Sequence, residues 1–355
     1  MKLAAVYNVF DSEELLPYSI NSIRDVVDVI IVVLQTTSNL GNPHPNSNLK
    51  HFVEMLPVDH VLEYEPRVSR DPTSPEKNER LKRALGAKFA SDMECTHFLL
   101  MDCDEFYEKE KFIIAKELIT QNKCSASACR IETYYKDPRY KLTPEETYYV
   151  PFITKIEKGV TKFSNFSDYP VVADPTRKTY PYDNFYKFNR DEITMHHFTM
   201  VRKDISLKFR NNTTIVKHKL DLQDICKNFK NFKLGDKLTF PFENYGIIEV
   251  ENKFNIPTSF DEDTESLVFL KNISNYLSKH SIRHWISSGT FLSLYRDDCF
   301  FPWDEDIDID IDAKHFEYNR FCELMRKKGF ILSKTIQKHG KVVQVIFRHP
   351  LQKRL

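Results

Sequence analysis

The chain has 355 residues, 51 basic and 51 acidic, so its formal charge is zero and no global field holds nucleic acid or an anionic membrane. With 41% hydrophobic and 13% aromatic residues it has ample material for packed cores, and its length suggests about two domains. Its eight glycines include no dinucleotide fingerprint and no phosphate loop, and its seven cysteines form no metal-knuckle spacing.

In chain order, residues 3–8 form a short apolar run that predicts a buried strand. Residues 12–24 carry Leu15, Leu16, Ile20 and Ile23 at helical spacing, with Arg24 late, where the helix dipole favours it. Residues 26–34 are β-branched and apolar, a second buried strand, followed by a polar loop over 35–48. A helix is expected over 77–90 and a third buried strand over 97–101. This alternation predicts an α/β layer with a mostly parallel sheet, whose ligands belong beyond the carboxyl ends of the strands. Residues 129–250 read as short strands and aromatic loops, 255–263 as a linker, and 264–279 as a helix with Leu267, Leu270, Ile273 and Leu277 on one face. A short α/β segment follows. The amino terminus turns polar too quickly for a secretory signal, and no run is long enough to span a membrane, so a cytoplasmic protein is expected, at most peripheral to the inner face of a membrane.

Two carboxylate clusters carry the chemistry. Asp102-Cys103-Asp104 ends the third strand, and residues i and i+2 of an extended segment point to one side. Such a pair at a strand end can hold Mn²⁺ or Mg²⁺ and neutralise a departing diphosphate. A solvated turn is the ordinary explanation of an isolated Asp-x-Asp; the position after a buried strand favours a site. His196 and His197 are candidate further metal ligands, with a packed and a solvated histidine as the plain alternative. For an inverting transfer, Asp174, Glu146 and Asp168 are candidate proton acceptors.

The runs from Lys77 to Arg83 and from Thr96 to Tyr107, with the opening Val6-Tyr7-Asn8, Glu13-Glu14 and Ser19-Ile20, resemble family-two-type glycosyltransferases of GT-A fold over about residues 1–250. The resemblance implies a Rossmann-like, mostly parallel sheet, with Asn8, Glu13, Glu14 and Arg80 at the nucleotide of a nucleotide-sugar donor. It implies metal-diphosphate binding by Asp102 and Asp104, both counted with Asp174 and Glu146 as catalytic candidates. An aromatic second half would shape the site for a glycan or glycolipid acceptor.

The second cluster alternates Asp306, Asp308, Asp310 and Asp312 with isoleucines, a strand with one carboxylate face. An EF-hand does not fit, because Ile309 replaces the turn glycine and His315 the closing glutamate. A charged edge strand that deters aggregation is the remaining plain explanation. Ser288-Gly289-Thr290-Phe291-Leu292 with Phe301-Pro302-Trp303-Asp304-Glu305-Asp306-Ile307-Asp308 resembles the LicD and fukutin-related group. That resemblance implies a partial nucleotidyltransferase-like α+β domain over 264–355, C-terminally incomplete, after a linker at 251–263. It also implies Gly289 and Thr290 at the phosphates of a CDP-linked donor, and Asp304, Asp306 and Asp308 as metal ligands. The leading expectation is a metal-dependent glycosyltransferase acting on a surface glycan precursor. The alternatives are phosphocholine or phospho-alditol transfer from a CDP donor, and an inactive glycan-binding or scaffold protein.

Overall fold

The computed structural model describes every residue except 70, 72, 213–219, 259–261, 298–299, 301–305, 315 and 350–355. The chain divides into two compact units, Met1–Pro45 with Val58–Thr258, and Asn46–Pro57 with Ser259–Leu355.

The first unit opens with β1 (Leu3–Val9), α1 (Leu16–Ile23) and β2 (Val29–Leu34); α2 (Leu49–Met55) belongs to the second unit. The first unit resumes with β3 (His60–Glu63), α3 (Ser74–Asp92), β4 (His97–Asp102), β5 (Glu105–Phe106) and α4 (Lys109–Gln121). Then come β6 (Ala126–Tyr135), β7 (Tyr140–Thr143), β8 (Tyr149–Lys155), β9 (Lys162–Phe163), β10 (Thr179–Tyr180), β11 (Phe185–Lys187) and β12 (Thr194–Met200). It closes with α5 (Ile205–Asn211), α6 (Leu222–Asn231) and β13 (Gly246–Glu249).

An eleven-stranded sheet runs β13-β7-β6-β8-β4-β1-β2-β3 among the described residues, with β11 and β12 on β6, and β5 on β12. From β3 to β4 every pairing is parallel, which suits strands as uniformly buried as β1 and β2, covered on both faces. On the other side of β4 the sheet continues with antiparallel β8. Helix α3 covers one face, packing Ala87 and Ala90 on Ala4, Val6, Ile31, Val33, Phe98 and Leu100. Gly86 makes that approach possible, because a Cβ there would stand 2.2 Å from Val6 Cγ1 and 2.9 Å from Val33 Cγ2. The first helix starts later than the apolar spacing suggests, at Leu16, with Pro17 in its first turn where no amide hydrogen is missed.

The register sets the site. Asn8 pairs with Asp102, so the ends of β1 and β4 lie side by side. Across from them β12 runs antiparallel to β5, placing His197 beside Glu105 and His196 beside Phe106.

The second unit contains α7 (Glu262–Lys279), β14 (His284–Ile286), α8 (Ser288–Asp297), β15 (Ile309–Ile311), α9 (Tyr318–Lys327), β16 (Ile331–Lys338) and β17 (Lys341–Arg348). Its core gathers Ile273, Leu277, Ile282, Phe321, Leu324, Met325 and Phe330 around Met55 of α2. Residues 46–57 therefore go with this unit, although they interrupt the 1–250 stretch in sequence. His51 stacks on His349 at 4.8 Å, and Lys328 Nζ donates to the Glu54 carbonyl at 2.8 Å, which ties α2 in. The alternating strand expected over 306–312 is shorter: only Ile309–Ile311 pairs, antiparallel to β14. No helix among the described residues is long and apolar enough to cross a membrane.

Candidate functional site

Asp102 closes β4 on the face that α3 covers, following Phe98 and Leu100 by strand alternation. Two guanidinium groups meet it. Arg83 of α3 places Nη1 3.4 Å from Oδ1, and Arg177 places Nη2 2.5 Å from Oδ2. Burial alone would raise this carboxyl; Arg177 and Arg83 outweigh it and hold Asp102 well below the usual carboxylate range. Arg177 also grips Glu105 with both terminal nitrogens, Nη1 at 3.0 Å from Oε2 and Nη2 on Oε1. Glu105 in turn accepts the Asp102 backbone N–H at 3.0 Å and is pushed upward by its burial.

Asp104 is buried and faces a different set of cations. Arg202, just past β12, donates from Nη2 to Oδ2 at 2.5 Å, and Lys208 Nζ of α5 and His197 Nε2 each lie 3.7 Å from the same oxygen. Here too burial, which raises the carboxyl, is overcome, chiefly by Arg202, and Asp104 is lowered. Burial pushes His197 down to about 4, so its ring is neutral at neutral pH. The far side of Arg202 reaches Asp11 at 3.3 Å, and Glu14 accepts the Lys203 backbone N–H at 2.8 Å. Glu14 is pushed up to about 7, chiefly by burial and then by Glu13.

Asn8 completes the strand-end edge. It is only 8% exposed, and among the described residues neither its amide nitrogen nor its oxygen has a hydrogen-bond partner. A buried amide left unpaired costs about 1–3 kcal/mol, so such a group in a native site calls for a ligand or water.

The other sequence candidates fall in various places. Glu13 pairs with His44 at 3.4 Å, and Arg80 faces Glu76 one turn earlier at 3.6 Å; Arg83, one turn on, is the α3 arginine at Asp102. Asp174 borders the cluster, with Oδ2 3.9 Å from Arg177 Nε and Oδ1 accepting from Thr176. Glu146 supplies its carbonyl to Arg190, and Asp168 takes the Tyr182 hydroxyl. His196 points to the opposite face of β12 from His197, as adjacent strand residues must. Its Nδ1 lies 2.8 Å from the Tyr134 hydroxyl and its Nε2 3.4 Å from Glu108, in a cavity of about 140 Å³ also lined by Glu132 and Lys253. The two histidines therefore do not act on one centre.

This donor set does not fit a divalent cation as it stands. Asp102 presents both oxygens, and Asp104 its Oδ2, to cations of the protein itself. Among the described residues, no three histidine, cysteine or carboxylate groups converge as metal ligands. Sequence reading missed Arg177, Arg202 and Lys208, which lie 75, 98 and 104 residues from their carboxylate partners; Arg83 was visible only as part of the α3 motif.

In the second unit, Gly289 and Thr290 lie in the first turn of α8. Thr290 is fully buried and its Oγ1 accepts the Asp308 backbone N–H at 2.8 Å; the Ser287 N–H donates to the Asp308 carbonyl at 3.2 Å. The two halves of the signature thus meet, with Asp306 just before the contact and Asp304 outside the described residues. Residues 281–351 match the family described as LicD/FKTN/FKRP, nucleotidyltransferase domain. The matched residues lie within the second unit.

No curated protein matches the chain. Solved structures similar to it include residues 1–349 of TarS from S. aureus, at 16% identity and TM-score 0.26, covering 38% of this chain and 36% of that one. The same protein in complex with UDP-GlcNAc matches with the same identity and score, covering 38% of this chain and 35% of that one. The mannose-1-phosphate geranyltransferase from Thermus thermophilus matches at 13% identity and TM-score 0.26, covering 44% of this chain and 51% of that one. The chain thus spans about a third to a half of the length of these proteins.

Proposed function

We propose that the first unit is a glycosyltransferase that takes a nucleotide sugar at the edge formed by Asn8, Asp102 and Asp104 and moves the sugar to a glycan or glycolipid hydroxyl. The observation that carries this reading is the buried, unpaired Asn8 amide, in register with Asp102 at the carboxyl ends of parallel strands. That end of an α/β sheet is where such folds take ligands, and an amide with both polar atoms open suits the donor and acceptor edge of a base or ribose. Around it, Arg83, Arg177, Arg202 and Lys208 supply the positive charge that a diphosphate leaving group requires. Asp174 is the best placed of the three candidate proton acceptors, because its half-exposed carboxylate borders Arg177, whereas Asp168 takes the Tyr182 hydroxyl and a carboxylate oxygen of Glu146 is buried away from solvent.

Calorimetric titration of the full chain with UDP, GDP and CDP, each with Mn²⁺, tests the reading. One nucleotide should bind, and Asn8→Leu should weaken it at least tenfold with the melting temperature held or raised. Absence of binding by all three would overturn it.

A second reading belongs to the LicD domain, which would transfer a phosphocholine or phospho-alditol group from a CDP-linked donor. The contact of Thr290 with Asp308 supports it, by bringing the Gly289-Thr290 turn to the acidic segment. Turnover of a CDP ester that survives Asp102→Ala but not Asp308→Ala would assign the activity to this domain.

A further inference from the structure

Helix α3 turns one face to the carboxyl ends of the parallel strands. Glu79, Lys82, Arg83 and Gly86 follow one another there at helical spacing, with Gly86 against Val6 and Val33. Each of the three polar residues holds a different strand end or the loop after it. Lys82 Nζ donates to the carbonyl of Val9, the last residue of β1, at 2.9 Å. That carbonyl also accepts the backbone N–H of Gln35, the residue after β2, at 2.9 Å. The Gln35 side chain continues the path: its Nε2 donates to Asn39 Oδ1 at 3.1 Å, and Asn39 Nδ2 donates to Glu79 Oε2 at 3.3 Å. Glu79 Oε1 accepts from Arg83 Nη2 at 2.9 Å, and Arg83 reaches Asp102 at the end of β4. The hydrogen bonds thus leave α3 at Lys82, pass through Val9, Gln35 and Asn39, and return to it at Glu79.

Packing alone does not call for a charge in this ring. Lys82 is 5% exposed, and burial pulls its ammonium down to about 8 against the opposing pull of Glu79. It therefore stays charged at neutral pH. Further along α3, Ala87 and Ala90 fill the same interface with apolar groups only, and an apolar side chain at 82 would seat the helix at lower desolvation cost. What the ammonium adds is a second hold on the Val9 carbonyl. That hold fixes the chain just past Asn8, whose backbone is in register with Asp102. We propose that Lys82, with Asn39 and Glu79, is a positioning clasp for the nucleotide: it joins the ends of β1, β2 and β4 into one rigid edge and so keeps Asn8 and Asp102 in their binding arrangement. This deepens the glycosyltransferase reading and rests on it for the identity of the ligand. The three residues act through the strand ends, because an edge already held in place loses less freedom when a ligand binds.

The test uses the full chain, calorimetric titration with whichever of UDP, GDP and CDP binds best, thermal melts, and hydrogen exchange at the Gln35 amide. Lys82→Met should weaken the nucleotide at least tenfold and speed exchange at Gln35 at least tenfold, with amides in the middle of β1 and β2 unchanged. Its melting temperature should hold or rise, since Val9 keeps the Gln35 N–H and a buried charge is gone. Asn39→Ala, at a half-buried position, should act in the same direction, and the double variant should lose less than the sum, because both residues belong to one ring. A lower melting temperature with nucleotide affinity intact would make Lys82 a stabilising residue only and overturn the proposal. So would strictly additive losses in the double variant. If Lys82→Met does not fold, Asn39→Ala carries the test, and unchanged affinity with unchanged Gln35 exchange there overturns it equally. If no nucleotide binds the wild-type protein, the glycosyltransferase reading fails, while exchange at Gln35 in the same variants still decides whether the clasp ties the strand ends.

Discussion

At the scale of single residues, the site is governed by the cost of burying charge. An ion taken out of water loses several kcal/mol, and a well-placed opposite charge recovers it only with good geometry. Asp102 and Asp104 meet that condition through Arg177 and Arg202, and both carboxyls are lowered. Glu14 does not. Its nearest charged neighbour along the chain is Glu13, and burial dominates, leaving it at about 7 against 4.5 for a free side chain. A folded-state value above the unfolded one means that folding binds a proton. The native state is favoured most below about pH 4.5, and that contribution is lost as pH rises through 7. Glu14→Gln, which is neutral at every pH and close in shape, should therefore raise the melting temperature at pH 8. The gain should shrink as pH falls toward 4.5. Calorimetric melts across that range check it, and a variant less stable than wild type at pH 8 would show that the Glu14 charge is well compensated. The strand-end position of Asp102 was legible in the sequence, because an apolar run followed at once by an acid has few other meanings in an α/β chain. Its arginine partners were not, since an ion pair across 75 or 98 residues leaves no local pattern, and arginines are common in a chain with 51 basic residues.

At the scale of elements, apolar run length and helical spacing were enough to locate β1, β2, β4 and α3, because these buried parallel strands carry polar residues only near their ends. Where a strand is short or half exposed the signal fades. β3, with no fully buried residue, and the strand-rich segment from β6 to β13 take their pairings from tertiary contacts, not from their own alternation. The acidic run in the second unit shows the opposite failure. Its strict alternation suggested a strand over 306–312, yet only the three residues that meet β14 pair. The close approach of α3 to the sheet gives a test of what holds the site together. Replacing Gly86 with Ala in mid-helix would favour the helix by up to about 1 kcal/mol on propensity alone. Against this, the added Cβ falls 2.2 Å from Val6 Cγ1, a fully buried β-branched side chain with little rotamer freedom. Overpacking typically costs about 1–3 kcal/mol, so the steric term should win. Gly86→Ala should lower the stability in urea by about 2 kcal/mol and, by tilting α3, displace Arg83 and weaken nucleotide binding. A variant as stable as wild type would mean that the helix slides without strain.

At the scale of the whole molecule, the two units have separate cores, yet the chain does not divide between them at one point. The sequence suggested a linker over 255–263, and the units part between Thr258 and Ser259. The excursion of residues 46–57 into the second unit left no trace in composition, because a polar loop rich in Asn and Pro leads into it and a seven-residue helix has too few turns for a readable apolar face. Its consequence is specific. In α2, Leu49 and Val53 are fully buried, and Met55 packs among Ile273, Leu277, Phe321, Leu324 and Met325. A fragment ending at Thr258 keeps all strands of the large sheet and Ile256, which is 1% exposed, but strips Met55 of those neighbours. Exposing a side chain of that size forgoes about 1.5–3 kcal/mol, small against a sheet of eleven strands but enough to create an adhesive apolar spot. The fragment should therefore melt cooperatively and retain nucleotide binding, while associating with itself at micromolar concentration. Met55→Lys, introduced into the fragment, should return it to a monomer; the same change in the full chain should destabilise the second unit. Sedimentation and calorimetric melts of the four proteins decide the matter. A fragment that is monomeric without the change, or that fails to melt cooperatively with it, would show that residues 46–57 owe their burial to something other than the core of the second unit.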